Sequence, residues 1–229
     1  MELPLIVILG PTASGKTAYA IRLAQLIGGE VICADSRTVY RGMDIGTAKP
    51  TESERAGVPH WGLDLIEPDQ RYSLYDFRRY ATAKIAEIRQ RQHVPLLVGG
   101  SGLYINSVIY DYQLVGGDYD PTTRAELEKL PPDELRRLIV KRGVKLPRDP
   151  DNKRRLIRSL ERGGVSNNCG HLSRQTIVIG IAVDKEKLSQ RISGRAEQML
   201  ERGLIDEAER LIARYGTVEP LRDYGDRKS

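Results

Sequence analysis

Short, unbroken apolar runs recur along the first hundred residues, and each ends in glycine or a polar residue. Leu5-Ile6-Val7-Ile8-Leu9 runs into Gly10, Val31-Ile32-Cys33-Ala34 into Asp35, and Leu96-Leu97-Val98 into Gly99-Gly100-Ser101-Gly102. Runs of this length without alternation are expected of strands covered on both faces, as in a parallel sheet. The pattern predicts strands over about 4–10, 30–35, 62–66, 95–98 and 175–183. Helices are expected from the end of the first loop to Ile27, stopped by Gly28-Gly29, and over 73–92. In the second, Leu74, Phe77, Ala81, Ile85 and Ile88 fall at helical intervals behind a Ser73/Asp76 capping pattern. Residues 37–56 read as irregular.

From about 116 to 172 the alternation stops. Short helical patterns appear over 122–130, 133–142 and 151–162, separated by Pro- and Gly-containing breaks. A strand then returns, followed by two helices over 185–215 broken at Gly203, and by a polar tail expected to fray. The fold class predicted is α/β: a P-loop NTPase-like parallel sheet with helices on both faces and a small helical insertion. The expected division is a core over 1–115 and 173–216, an insertion over 116–172 and a tail over 217–229. Ligands of such sheets gather at the carboxyl ends of the strands, so the exits at Gly10, Asp35 and Gly99 should converge on one cleft.

Residues 10–17 read Gly-Pro-Thr-Ala-Ser-Gly-Lys-Thr, the phosphate-binding pattern G-x-x-x-x-G-K-[ST] between a strand and a helix. Gly10 and Gly15 let the backbone curl so that the N–H groups of Thr12, Ala13, Ser14, Gly15, Lys16 and Thr17 point at one anion. Lys16 adds a mobile cation, Thr17 a hydroxyl for Mg²⁺, and the following helix its positive end. The loop implies a diphosphate or polyphosphate ligand without saying what carries it.

Charge adds a second feature. The 229-residue chain has a net charge of +5, yet residues 121–164 alone hold thirteen Lys/Arg against seven Asp/Glu. The excess sits in the insertion, where it fits either a solvated helical surface or a phosphate-rich macromolecule such as RNA. Two cysteines, Cys33 and Cys169, form no disulfide framework or zinc pattern, and Cys33 reads as a small core residue. His60, His93 and His171 follow no metal-ligand spacing. No apolar run approaches a membrane span and the N-terminus lacks a basic leader pattern, so a cytoplasmic location without membrane association is expected.

Several further strings follow the loop in order. They are Ala34-Asp35-Ser36, Val39 to Pro50 (VYRGMDIGTAKP), Tyr72-Ser73 with Asp76-Phe77, and Leu97 to Tyr104 (LVGGSGLY). Arg155-Leu156 with Arg158 and Leu160-Glu161, then Arg195 with Gln198-Met199-Leu200, complete the set. Over about residues 4–216 the chain resembles the tRNA dimethylallyltransferase (IPP transferase) family, and residues 35–50 are the most specific part of the match. The family pattern continues through a Gly-Tyr segment into a basic helix, whereas here the tail reads Asp223 to Ser229, so a C-terminally shortened member is expected.

The resemblance implies transfer of a dimethylallyl group from dimethylallyl diphosphate to the exocyclic N6 amine of the adenine beside the anticodon of tRNA. The partners it implies are the tRNA anticodon arm and the prenyl donor, with Mg²⁺ as cofactor and a monomeric enzyme. Breaking the allylic C–O bond leaves pyrophosphate, whose charge the loop, Lys16 and the ion on Thr17 would stabilise, with Arg195 as a second cation. The adenine amine must lose a proton as it attacks, which needs a carboxylate. Asp35 is the expected general base, although the same position suits a Mg²⁺ ligand. Thr12 would position the reacting groups, or be a tolerated small polar loop residue.

The adenine must be drawn out of its stack, past Ser36, Arg37, Thr38 and Ser101. Arg124, Arg154, Arg155 and Arg158 would contact tRNA phosphates, or present a solvated face. Tyr104, Tyr110 and Tyr112 fit core positions at a helix end better than base-stacking ones. Adenylate dimethylallyltransferase, a P-loop small-molecule kinase and an inactive RNA-binding remnant are the alternatives.

Overall fold

The computed structural model describes residues 2–110, 121–161, 163, 171–173 and 175–222. The chain divides into two compact units, one of Met1–Asp111 with His171–Ser229 and the other Tyr112–Gly170. The first holds five parallel strands: β1 (Leu5–Leu9), β2 (Gly29–Cys33), β3 (His60–Trp61), β4 (Val94–Gly99) and β5 (Thr176–Gly180). Their order is β3-β2-β4-β1-β5. β1 and β2 therefore flank β4, and the chain reaches β2 from β1 by crossing over through α1 (Lys16–Ile27).

Strand residues alternate between two hydrophobic layers, as the two-residue period demands. Leu5 and Val7 of β1, Ile32 of β2 and Leu97 of β4 pack against α3 (Leu74–Gln90) and α4 (Gly102–Ile109) through Phe77, Ala81, Ile85, Ile88, Tyr104, Ile105 and Ile109. Ile6, Ile8, Val31, Cys33, Leu96 and Val98 face the other way, onto Ala20, Ile21 and Ala24 of α1. The core helices start and stop where local chemistry says they should. Ser73 and Asp76 form a reciprocal capping box on α3, and Gly28 ends α1 in the left-handed conformation.

The edge strand departs from the expectation of two covered faces. Ile177 and Val178 of β5 are 51% and 44% exposed, and α8 (Lys185–Glu201) contributes no buried residue. The helix after it, α9 (Leu204–Tyr215), instead buries Glu207 and Leu211, and Leu211 packs with Val39, Tyr40 and Met43. Other corrections are local. The strand expected over 62–66 lies earlier, at His60–Trp61, because Gly62 and Asp64 take positive φ of 85° and 53°. Ile66 keeps one isolated bridge to Tyr40. The irregular stretch after Arg37 contains α2 (Glu52–Arg55), started by a Thr51/Glu54 capping box. Within the tail expected to fray, Glu219–Arg222 form α10, held where Leu221 is buried in the cluster with Leu211 and Met43, and residues 223–229 lie outside the described residues.

The second unit holds α5 (Pro121–Lys129), α6 (Pro132–Lys141) and α7 (Lys153–Glu161) around Leu127, Leu135, Ile139, Leu156, Ile157 and Leu160. Arg124 of α5 bonds Glu128 at 2.8 Å and Glu161 of α7 at 3.3 Å, tying the first helix to the last. Tyr112 and Cys169 lie outside the described residues.

At the opposite end of the sheet from the strand exits, Glu30 of β2 is buried, its side chain 3% exposed. It accepts from Trp61 Nε1 at 2.6 Å, Arg91 Nη2 at 2.8 Å and His93 Nδ1 at 2.7 Å, joining β2, β3 and the α3–β4 turn. Burial alone would raise its pKa, but the hydrogen bonds from Arg91, His93 and Trp61 outweigh it and hold the carboxyl at about 2. A depressed carboxyl stabilises the fold above its unfolded pKa of about 4.5 and loses that contribution as pH falls towards 2, about 3 kcal/mol in all. Urea unfolding from pH 6 to pH 2.5 should therefore show Glu30→Gln less stable at neutral pH, with the gap to wild type closing below about pH 4. A constant gap would place the carboxylate's contribution elsewhere.

Candidate active site

The turn after β1 is built by its own backbone. Ala13 and Gly15 take positive φ of 62° and 86°, and Ser14 N–H donates to Pro11 O at 3.2 Å. Lys16 reaches back over the turn, its Nζ 3.2 Å from Pro11 O. Gly10 sits tightly, because a Cβ there would lie 2.8 Å from Ser14 Oγ and 3.1 Å from Ile181 O, so a side chain would have to displace its neighbours. Ser14 is 5% exposed, and its hydroxyl is buried without a partner among the described residues. A cradle that leaves a buried hydroxyl unsatisfied suits a ligand rich in acceptor oxygens.

The β2 and β4 exits are pressed against this turn. A Cβ on Gly99 would sit 2.1 Å from Ala34 O, and one on Gly100 would sit 3.3 Å from Gly10 O and 3.8 Å from Lys16 Nζ. Beyond Ala34, one Asp35 carboxylate oxygen accepts from Arg37 N–H at 2.9 Å, which fixes the side chain's direction. Thr38 Oγ1 is 3.5 Å from Asp35 O and is buried. Arg37 Nη1 donates to Pro220 O at 3.3 Å, so α10 supports the segment from behind.

The result is a cleft of about 280 Å³ at the carboxyl ends of the strands. Thr12, Lys16 and Thr17 line it from the loop, Asp35, Ser36, Arg37 and Thr38 from the β2 exit, Ser101 from the β4 exit and Arg195 from α8. Gly10, Ala13, Ser14 and Gly15 supply the curl of the loop. Arg124, Arg154, Arg155 and Arg158 belong to the other unit. Arg154, Arg155 and Arg158 are exposed on the side of α7 away from Leu156, Ile157 and Leu160, whereas Arg124 is half-buried in its ion pairs. Tyr104 is core, stacked on Phe77 with centroids 4.3 Å apart, and burial pushes its hydroxyl up to about 12.

Thr47, Ala48 and Pro50 also line the cleft, although sequence reasoning gave them no role. Their signal was present in the specific string over residues 44–50. Cys33 lines the floor, but burial, with the charge of Asp35, pushes its thiol up to about 12, so it offers no thiolate. A larger surface hollow of about 350 Å³ beside Glu2 and Arg89 has neither a phosphate-binding turn nor a strand exit.

Fold and cleft together define an α/β protein in which a loop of the phosphate-binding sequence pattern and a carboxylate at the neighbouring strand exit line one cleft. The family description "IPP transferase" matches residues 38–225 and "Isopentenyl transferase" matches residues 3–64. This chain belongs to the IPP transferase family. It is 42% identical over 223 residues to a tRNA dimethylallyltransferase of Bacillus velezensis, covering 91% of this chain and 71% of that protein. A Streptococcus mutans tRNA dimethylallyltransferase is 42% identical over 233 residues, with 98% and 78% covered. Among solved structures, the full-length tRNA isopentenylpyrophosphate transferase of Bacillus halodurans aligns with TM-score 0.68 at 38% identity, over 97% of this chain and 77% of that one. A eukaryotic dimethylallyltransferase acting on tRNA aligns with TM-score 0.78 at 28% identity, over 93% and 56%.

The closeness of the strand exits is testable directly. Gly99→Ala places a methyl group well inside van der Waals contact with a backbone oxygen, so β2 and β4 must separate. Urea unfolding should show a loss of about 2–4 kcal/mol, at the upper end of overpacking costs. A loss below about 0.5 kcal/mol would mean that the exits part easily.

Proposed function

We propose that this chain transfers a dimethylallyl group from dimethylallyl diphosphate to the N6 amine of the adenine adjacent to the anticodon in tRNA, acting as a cytoplasmic monomer. The observation that carries the reading is the convergence of the phosphate loop and the Asp35 carboxylate in one cleft. The family membership points the same way.

In this reading the diphosphate lies on the backbone N–H groups of residues 12–17, with Lys16 and Arg195 taking up the charge that grows as the allylic C–O bond breaks. Thr12 holds the bridging region in line. The adenine enters past Ser36, Arg37, Thr38 and Ser101, and its amine forms the new C–N bond while its proton passes to Asp35. Pyrophosphate leaves with the electron pair of the broken bond. The hydrogen bond from Arg37 N–H leaves the other Asp35 oxygen to accept that proton.

Mg²⁺ fits this site as a partner of the donor. No group of three or more His, Cys, Asp or Glu among the described residues is placed to hold a metal. The Thr17 hydroxyl and the donor's own phosphate oxygens are hard ligands of the kind that Mg²⁺ takes, completed by water. Bound there, the ion would neutralise charge on the departing pyrophosphate.

The test is incubation with radiolabelled dimethylallyl diphosphate and Mg²⁺, with tRNA, AMP or neither as acceptor. Label should enter tRNA. Asp35→Asn should lower kcat by about 10²–10⁴-fold with donor affinity little changed, and Lys16→Ala should weaken donor binding. Label entering AMP alone, or ATP binding in place of the prenyl donor, would contradict the reading. An Asp35→Asn enzyme that keeps its rate but loses Mg²⁺ affinity would make Asp35 a metal residue.

For RNA grip we assign the exposed arginines of α7. Replacing Arg154, Arg155 and Arg158 together by Ala should weaken tRNA binding and flatten the plot of log K against log salt, by about 0.7–0.9 for each phosphate no longer neutralised. An unchanged slope would identify the three as a solvated face.

A further inference from the structure

Glu207 sits on α9, far from the cleft in sequence, and its side chain does something that the fold alone does not require. It is 3% exposed. Its carboxylate accepts from three consecutive backbone N–H groups: Asp44 at 3.1 Å, Ile45 at 2.9 and 3.0 Å, and Gly46 at 3.1 Å. A run of N–H groups turned on one carboxylate is an anion-binding concavity, here filled from within the chain. Charge-assisted bonds of this kind are about twice as strong as neutral ones, and burial keeps water from competing for them.

The segment so gripped is the cleft wall that carries Thr47, Ala48 and Pro50. Its backbone would not hold this shape unaided. Ala48 takes φ of 50°, in the left-handed region that costs a residue with a side chain about 1 kcal/mol or more. The turn closes through Ala48 N–H to Ile45 O and Lys49 N–H to Asp44 O, both at 2.9 Å. Lys49, its side chain 4% exposed, fixes the far end with bonds to Asp44 and Asp64 at 2.6 Å each and to Tyr40 O at 3.0 Å.

The same hairpin that carries Glu207 also carries the donor-side cation. α8 bears Arg195, and Gly203, with φ of 90°, turns α8 into α9. Beyond Glu207, Tyr215 donates to Glu67 at 2.5 Å, and Leu211 and Leu221 pack against Val39, Tyr40 and Met43. The α8–α9 hairpin therefore carries the cation expected on the pyrophosphate and, through Glu207 and Leu211, meets the wall that continues from Ser36–Thr38.

We infer that Glu207 is a positioning residue for the transfer reaction: it holds the 44–50 wall against the incoming acceptor and sets that wall in register with Arg195. The inference rests on the function proposed above. It predicts that loosening this clamp harms alignment of the acceptor while leaving the phosphate loop's grip on the donor intact, since residues 10–17 make their own turn.

Glu207→Gln keeps the size of the side chain but offers one acceptor oxygen and turns an amide N–H₂ towards backbone donors. In the full chain, with dimethylallyl diphosphate and tRNA, kcat/KM for tRNA should fall about ten- to hundredfold, while the donor Kd by calorimetry should change less than about twofold. Hydrogen exchange at residues 44–46 should quicken in the variant. Glu207→Asp keeps the charge on a shorter arm, so the activities should rank wild type, then Asp, then Gln.

An unchanged kcat/KM in Glu207→Gln would overturn the inference, as would an equal loss of donor affinity or any other ranking of the three chains. Absence of transfer by the wild-type chain would instead remove the functional reading on which it rests, and amide exchange would still report whether the clamp exists.

Discussion

A phosphate cradle and a carboxylate can act on one reaction only if the strands that carry them end within a few ångströms of each other. Here that closeness comes from a backbone contact that excludes even a methyl group: a Cβ on Gly99 would lie 2.1 Å from Ala34 O. The turn at Gly10, the Asp35 exit and the Gly99–Ser101 exit are therefore packed as one unit before any ligand arrives. Because the three strands are neighbours in the order β2-β4-β1, the middle strand must be the slender one at its exit. Preorganisation of this kind lets donors point at developing charge without a further cost of rearrangement.

Around that unit the protein adds walls that depend on distant parts of the chain. The segment after Asp35 is held by Pro220 behind Arg37, by Leu211 and Leu221 beneath Met43, and by Glu207 along residues 44–46. The cleft is thus lined mainly by the first half of the chain, with Arg195 of α8, and braced by residues 207–221. Replacing any one brace should be felt as loss of alignment before loss of fold, because the two hydrophobic layers of the sheet are built without them.

Much of this was legible in the sequence, and the reason is local chemistry. The strands β1, β2 and β4 are read from continuous apolar runs, the loop from its spacing, and α3 from its capping box and helical period. Thr12, Lys16, Asp35, Ser101 and Arg195, each named from the sequence, line one cleft. What was not legible depends on partners far away. β3 is a two-residue pairing displaced by the positive φ of Gly62, α10 is held by burial of Leu221 and by the bond from Arg37 to Pro220, and Arg124 pairs with Glu161 of another helix. Glu207 looks like any acidic residue in the first turn of a helix, and its three N–H partners lie more than 160 residues earlier.

The central claim is that donor phosphate and acceptor amine meet in this one cleft. A structure of the protein with an anticodon stem–loop and a dimethylallyl diphosphate analogue, its bridging oxygen replaced by sulfur, tests it most directly. The account predicts the diphosphate on the N–H groups of residues 12–17 and the adenine amine within hydrogen-bond reach of Asp35, about 3 Å. An adenine bound away from the strand exits, or an Asp35 carboxylate turned to the diphosphate side with no base beside it, would contradict it.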